Sequence, residues 1–219
     1  CVIDIAPTLD MYARTDMEFA RAYYHWFHLI QPAPLPETMI GGAPQAYLHH
    51  KLGGWNYPAA GNATAPATAT ATTDTATTAA TASPASAPPP HAPLGFIEPE
   101  ALAEYERCFC RPAAIHSACE DYRASAGIDL AHDSASRERG ERIACTTLVL
   151  WGQRGVVQRM FNPMVLWQAQ CAAKVSGEAL LAGHFIPEEL PETTAWALSD
   201  FFLGAGAGVQ AQAGGQAGE

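Results

Sequence analysis

Three short apolar runs predict buried strands near the two ends of the chain. Residues 1–8 (CVIDIAPT) place apolar side chains on both sides of Asp4. Residues 143–152 (IACTTLVLWG) form a continuous β-branched run that ends at glycine, which is typical of a central parallel strand. Residues 175–183 predict a last strand, which leads directly into His184.

The segments between these runs have the spacing of amphipathic helices. Met11, Phe19, Tyr23, Phe27 and Ile30 share one face if residues 10–30 are helical. The prolines that follow residue 30 would end such a helix. Similar patterns predict further helices at residues 36–53, 99–110, 111–126, 129–142, 158–174 and 192–203.

A different composition separates two of these helices. Residues 59–93 consist mainly of Ala, Thr, Pro and Ser, and they contain no Leu, Ile, Val or aromatic residue. Such a run buries too little apolar surface to offset its conformational entropy. We therefore expect a disordered insertion at 59–93, and we expect the Gly-, Ala- and Gln-rich tail at 205–219 to be disordered as well.

The order of the elements predicts an α/β fold. A strand, a helical block and then strand–helix–strand–helix indicate a parallel sheet with helices on both faces. Residues 1–9 would supply one core strand and residues 143–204 the C-terminal part of the core. The block at 10–142 is too long for one crossover, so we interpret it as an inserted helical cap.

Composition excludes several functional classes. The 219-residue chain has a formal net charge of −10 and no basic stripe, so we expect no nucleic-acid partner. No apolar run is long enough for a membrane span or an export signal, so we expect a cytoplasmic protein. The six cysteines include no CxxC pair, which favours reduced thiols, and no metal-ligand spacing is present. We predict neither a metal nor an organic cofactor.

His184 is the first candidate for chemistry. It follows an apolar strand in the sequence LLAGHF, and sites in open parallel sheets lie at the carboxyl ends of strands. A histidine in this position is a candidate general base. It needs an acidic partner that selects its tautomer and stabilises its cation.

Two positions could supply that acid. Many α/β hydrolases carry an Asp after a strand such as LVLWGxxD, but here the sequence is LVLWGQRG, with Gly155 at that place. Asp4 is the alternative, because a carboxylate inside an apolar strand needs a partner. We therefore predict that Asp4 pairs with His184.

A cluster of donor side chains is the third candidate. His25 and Trp26 are adjacent, and Tyr122 lies far along the chain. Together an imidazole N–H, an indole N–H and a phenol O–H could bind a small dehydrated anion. Spacing alone favours core packing for Trp26 and a helix-surface position for His25.

The motifs resemble one family as a set. VIDIAPT, RAYYHWFHLIQPAPLPE, GGW, RPAAIHSACEDYRA, LVLWG and GHF occur in the order found in fluoroacetate (haloacetate) dehalogenases, which are α/β hydrolases. The resemblance covers residues 1–58 and 94–203. It implies the C-terminal part of an α/β-hydrolase parallel sheet with an inserted helical cap.

The resemblance also implies roles for individual residues. His184 corresponds to the base and Asp4 to its acid. The halide-binding set corresponds to His25, Trp26 and Tyr122, and Trp55 matches a tryptophan that lines the pocket.

The family's nucleophilic Asp and its two carboxylate-binding arginines would lie upstream of Cys1. We expect no nucleophile in this chain, which we interpret as a C-terminal fragment that is inactive alone. Arg21 and Arg123 are not assigned to the substrate.

The implied activity of the intact enzyme is hydrolytic dehalogenation of a small haloacid. One alternative is an epoxide hydrolase, in which Tyr23, Tyr24 and Tyr122 would protonate the epoxide oxygen; the His25–Trp26 pair favours halide. The other alternative is a non-catalytic remnant. The sequence does not give the oligomeric state, and a homodimer stays open.

Overall fold

The fold is taken from a computed structural model, which describes residues 1–54 and 94–204 of the chain. The predicted insertion at 59–93, the predicted tail at 205–219 and the pocket tryptophan Trp55 lie outside the described residues.

Three parallel strands form one sheet within the described residues. They are β1 (Val2–Ile3), β2 (Thr147–Gly152) and β3 (Val175–Leu180), and β2 lies in the centre. Ile3 pairs with Leu150, and Leu150 pairs with Glu178. The strand predicted at residues 1–8 is much shorter than expected, because the backbone turns sharply at Asp4, where φ is 47°.

Eight helices lie between β1 and β2 in the described part. They are α1 (Thr8–Ala13), α2 (Met17–Ala22), α3 (Tyr24–Leu29), α4 (Leu35–Gly41), α5 (Pro44–Gly54), α6 (Pro99–Phe109), α7 (Pro112–Ser125) and α8 (Ile128–Glu138). None of the described helices has both the length and the apolar character needed to cross a bilayer.

Four more helices follow the central strand: α9 (Val156–Met160) and α10 (Pro163–Gln170) precede β3, and α11 (Ile186–Glu189) and α12 (Pro191–Leu203) follow it. This alternation confirms the predicted α/β fold, with helices connecting parallel strands.

The prediction of one continuous helix over residues 10–30 was wrong. The chain forms three short helices there, because Asp16 caps a new helix by accepting a hydrogen bond from Phe19 N at 2.8 Å. Tyr23 then separates α2 from α3. Apolar spacing identified the buried face, but the local cap decided where each helix begins.

Two other helix predictions were wrong for the same kind of reason. Residues 36–53 form two helices, because a new helix begins with Pro44 in its first turn. Residues 158–174 also contain a break, at Asn162, whose side chain accepts from Val165 N at 3.2 Å. Pro163 then occupies the first turn of α10, where a missing N–H costs nothing.

Two apolar clusters hold the helices against the sheet. The first, between α1–α3 and α9, contains Phe19, Trp26 and Phe161, with Phe19 meeting both other rings edge to face. The second packs β2 and β3 against α11 and α12. The first cluster joins helices to one another, and the second joins the sheet to the C-terminal helices.

Arg123 fastens the proline-rich turn after α3 to α7. Its guanidinium donates to Gln31 O at 2.9 and 2.7 Å and to the Glu37 carboxylate at 2.8 and 3.1 Å. The hydrogen bond from Arg123 lowers the pKa of Glu37 to about 2. Arg123 thus has a structural position on α7.

We expect Glu37→Gln to lower the Tm by a few degrees at pH 7. The depressed pKa of Glu37 means that its stabilising effect is complete above the unfolded-state pKa of about 4.3 and is lost as the pH falls toward 2. The Tm difference between wild type and variant should therefore shrink across that window. Glu138→Gln, at an exposed position, is the control; a pH-independent difference for Glu37→Gln would contradict the prediction.

Candidate active site

Asp4 lies at the carboxyl end of β1 and is 1% exposed. Its backbone N–H donates to Leu150 O at 2.7 Å, which extends the β1–β2 ladder by one residue. The left-handed φ of 47° then turns the chain. Asp tolerates this conformation better than most residues, and such strain persists where the surroundings enforce it.

His184 follows β3 and faces Asp4. The distance from His184 Nδ1 to Asp4 Oδ2 is 2.6 Å, and Asp4 Oδ1 accepts from Gly152 N at 2.9 Å. The His184 side chain is 30% exposed, whereas the Asp4 side chain is buried. When Nδ1 carries the proton that bonds to Asp4, the lone pair is on Nε2, the arrangement that a general base requires.

The two predicted positions for the acid are neighbours in space. A Cβ atom at Gly155 would lie 3.4 Å from each Asp4 carboxylate oxygen. Position 155 therefore lies directly beside the Asp4 carboxylate.

The turn before His184 lies directly against the end of β2. A Cβ atom at Gly152 would be 1.7 Å from Gly183 O, so this contact requires glycine. Hydrogen bonds from Gln153 N to Leu180 O and from Arg154 N to Ala182 O, at 2.7 and 3.1 Å, join the same two turns. The position of His184 thus depends on close backbone packing.

We expect Gly152→Ala to destabilise the fold by about 1–3 kcal/mol, because the added methyl must displace the Gly183 carbonyl. Urea unfolding measures this change. Gly42→Ala is the matched control, since its nearest neighbours would be 3.5 Å or more from the new Cβ. Equal stability of Gly152→Ala and wild type would show that the turn does not press on β2 in this way.

The three predicted anion-binding side chains lie together. The Tyr122 ring centroid is 5.5 Å from that of His25 and 6.1 Å from that of Trp26. Trp26 packs in the core, as its spacing predicts, but the predicted surface position of His25 was wrong: the residue is 5% exposed. α3 is short and packs against both α2 and α7, so His25 does not lie on a solvent-facing side of the helix.

Burial sets the charge state of this trio. Burial, assisted by the charges of Lys51 and His184, lowers the pKa of His25 to about 3. Burial also raises the pKa of Tyr122 to about 12. Both side chains are therefore neutral at pH 7 and keep protons to donate.

A cavity of about 390 Å³ lies beside His184. Four of its wall residues are cationic: Arg21, Lys51, Arg154 and Arg159. No Asp or Glu belongs to the wall among the residues that the structure describes. A chain with a net charge of −10 thus places a local group of positive side chains next to its histidine.

These cations were not found from the sequence. Lys51 is in α5, Arg154 precedes α9 and Arg159 is within it, so no spacing pattern connects them. Lys51 Nζ lies 3.5 Å from the centroid of the Tyr24 ring, and burial lowers its pKa to about 7. Arg159 also donates to Glu18 at 2.5 Å, which reduces its share of the local charge.

His25, Trp26 and Tyr122 are not among the described residues of this cavity wall. Tyr23 connects the two regions. It lines the cavity, and its ring centroid is 5.7 Å from that of His25 and 6.1 Å from that of Trp26.

One group of potential metal ligands occurs elsewhere in the described part. Ligand atoms of Glu37, His116 and Glu120 lie within 4.8 Å of one another. Arg123 already contacts both carboxylates of this group, at 2.8 and 2.5 Å, so part of their negative charge is compensated within the protein. The prediction that the enzyme needs no metal stays a prediction.

Comparison with known proteins identifies the fold. No protein-family model matches the sequence. A fluoroacetate dehalogenase from Burkholderia sp is 33% identical over 208 residues, which are 95% of this chain and 56% of that protein. The crystal structure of a candidate alpha/beta hydrolase from Nostoc sp PCC 7120 has 42% identity and a TM-score of 0.71, over 91% of this chain and 55% of that one. The chain has the α/β-hydrolase fold.

A third relative is a point mutant of a candidate epoxide hydrolase from Pseudomonas aeruginosa, solved with bound MFA. It is 29% identical with a TM-score of 0.67, over 92% of this chain and 57% of that structure. The chain spans about half the length of each of these three relatives. The resemblance to fluoroacetate dehalogenases and the predicted α/β-hydrolase fold are confirmed, whereas the roles of individual site residues stay predictions.

Proposed function

We propose that the protein hydrolyses the carbon–halogen bond of small haloacids, converting haloacetate and water to glycolate and halide. The observation that carries the proposal is the Asp4–His184 pair beside a cavity whose described wall has three arginines, one lysine and no carboxylate. An anionic substrate needs such compensation when it leaves water.

His184 acts as the general base in this proposal. It removes a proton from water through Nε2, while Asp4 holds the Nδ1 proton at 2.6 Å and stabilises the imidazolium that forms. A buried carboxylate is effective here because no solvent screens it.

We propose that the nucleophile is a carboxylate in a part of the enzyme outside this chain. It attacks the carbon bearing the halogen, the carbon–halogen bond breaks and an ester forms. Water activated by His184 then attacks the ester carbonyl, releasing glycolate and restoring the carboxylate. The 219-residue chain alone would not turn over substrate.

The departing halide is bound, in this proposal, by His25, Trp26 and Tyr122. Each is a neutral donor at pH 7 that offers N–H or O–H. His25 and Trp26 are buried and Tyr122 is half-buried, and hydrogen bonds to developing charge are strong where water is excluded. Trp55 would line the same pocket, an assignment that rests on the resemblance alone.

We expect no fluoride release from the purified 219-residue chain supplied with fluoroacetate. A version extended upstream to the length of its relatives should release fluoride, and His184→Ala should abolish that release because no base remains. Fluoride is measured with an ion-selective electrode. Turnover by the short chain that His184→Ala abolishes would refute the missing-nucleophile proposal, and an inactive extended protein would favour a non-catalytic remnant.

An epoxide hydrolase is the second candidate, favoured by two tyrosines. Tyr23 and Tyr24 both line the cavity with His184, where a phenol could protonate an epoxide oxygen. Burial raises the pKa of both, so they stay protonated at neutral pH. The cationic wall distinguishes the candidates, since a neutral epoxide gains little from it.

We expect the double variant Arg21→Gln, Arg154→Gln of the extended protein to lower kcat/KM for fluoroacetate about tenfold or more, because two positive charges leave the wall. Turnover of a small neutral epoxide, if any, should change little. Arg14→Gln removes an exposed charge outside the wall and is the control. An unchanged kcat/KM for fluoroacetate, or preferential turnover of the epoxide, would favour the second candidate.

A further inference from the structure

One carboxylate holds the backbone on both sides of His184. Glu189 Oε2 accepts from Gly183 N at 2.7 Å, and Glu189 Oε1 accepts from Phe185 N at 3.0 Å. Gly183 and Phe185 are the immediate neighbours of His184 in the chain. The two hydrogen bonds therefore bracket the histidine.

A backbone hydrogen bond also joins Glu189 to Phe185. Glu189 N donates to Phe185 O at 2.8 Å, so Phe185 and Glu189 are bonded in both directions across α11. Phe185 is the residue before α11, and a side chain that reaches back to this N–H resembles a capping box. Gly183 lies outside the helix, however, and a helix cap does not require the bond to it.

The hydrogen bond between Glu189 and Gly183 N restrains a turn whose opposite side packs against Gly152. Gly183 O faces Gly152, and Gly183 N is held by Glu189. The residue that follows must direct its imidazole at Asp4 across 2.6 Å, a distance that a small rotation of the turn would lengthen. Hydrogen bonds to a charged acceptor are stronger than neutral ones, which suits a turn that must not rotate.

We propose that Glu189 is a positioning residue for His184, which sets the orientation of the imidazole through the two flanking amides and does not contact substrate. The inference rests on the proposed role of His184 as the base. Glu189 would affect the Asp4–His184 hydrogen bond, which can be observed without turnover.

The test is ¹⁵N-resolved proton NMR of the 219-residue chain, following the His184 Nδ1–H that bonds to Asp4. Glu189→Gln should shift this proton upfield and increase its exchange with water about tenfold, because the amide nitrogen faces one of the two backbone donors. Asp4→Asn, which removes the charged acceptor, marks the signal of a broken pair. Glu192→Gln removes an exposed carboxylate in the next helix and should leave the spectrum as in wild type.

An unchanged Nδ1–H signal in a folded Glu189→Gln chain would overturn the proposal, because the carboxylate would then serve as a helix cap alone. If the variant does not fold, amide exchange in the wild type decides the matter. The Gly183 and Phe185 amides should exchange at least about tenfold more slowly than the amide of Leu181, which is exposed. Equal exchange rates would show that Glu189 does not restrain these two amides, and would refute the proposal.

The outcome is separable from that of the dehalogenase proposal. Loss of the Nδ1–H signal in Glu189→Gln together with an extended protein that releases no fluoride would leave the positioning role intact and reject the reaction. Fluoride release by the extended protein with an unchanged Nδ1–H signal in Glu189→Gln would support the reaction and reject the positioning role.

Discussion

The buried carboxylate of Asp4 is the constraint on which the arrangement of the sheet depends. A carboxylate that is 1% exposed must receive hydrogen bonds, because an unpaired buried charge costs several kcal/mol. Asp4 meets this need with Gly152 N from the end of β2 and His184 from the turn after β3. The ends of three strands are thereby held at one point, which lies beside the cavity.

Sequence reasoning succeeded where a residue's environment is set by its own element. Asp4 in an apolar run and His184 after a strand could be paired because parallel strands bring their carboxyl ends to one edge. It failed where local chemistry overrode periodicity, as at Asp16 and Asn162, which begin new helices inside apolar patterns. The cationic wall could not be predicted either, because its members are brought together only by the packing of separate elements.

The charge distribution is compatible with the acidic substrate that we propose, although the chain itself is acidic. Most of the carboxylates that give the net charge of −10 are on the surface, where salt screens them beyond about 8 Å. The wall cations would act on such a substrate at shorter range, where salt screens their attraction less than it screens the distant repulsion. Burial also lowers the pKa of Lys51 to about 7, which makes part of this attraction dependent on pH near neutrality.

The predicted acid must lie beside His184, and either of two strands could supply it there. A side chain built on Gly155 would begin 3.4 Å from the Asp4 oxygens, so an Asp there would compete with Asp4 for one volume and one imidazole nitrogen. Two carboxylates beside one imidazole nitrogen would repel each other, which disfavours ionisation of both. One acid at this place is therefore favoured over two. Asp4 in CVIDIAPT supplies it, and Gly155 in LVLWGQRG leaves the neighbouring position without a second carboxylate.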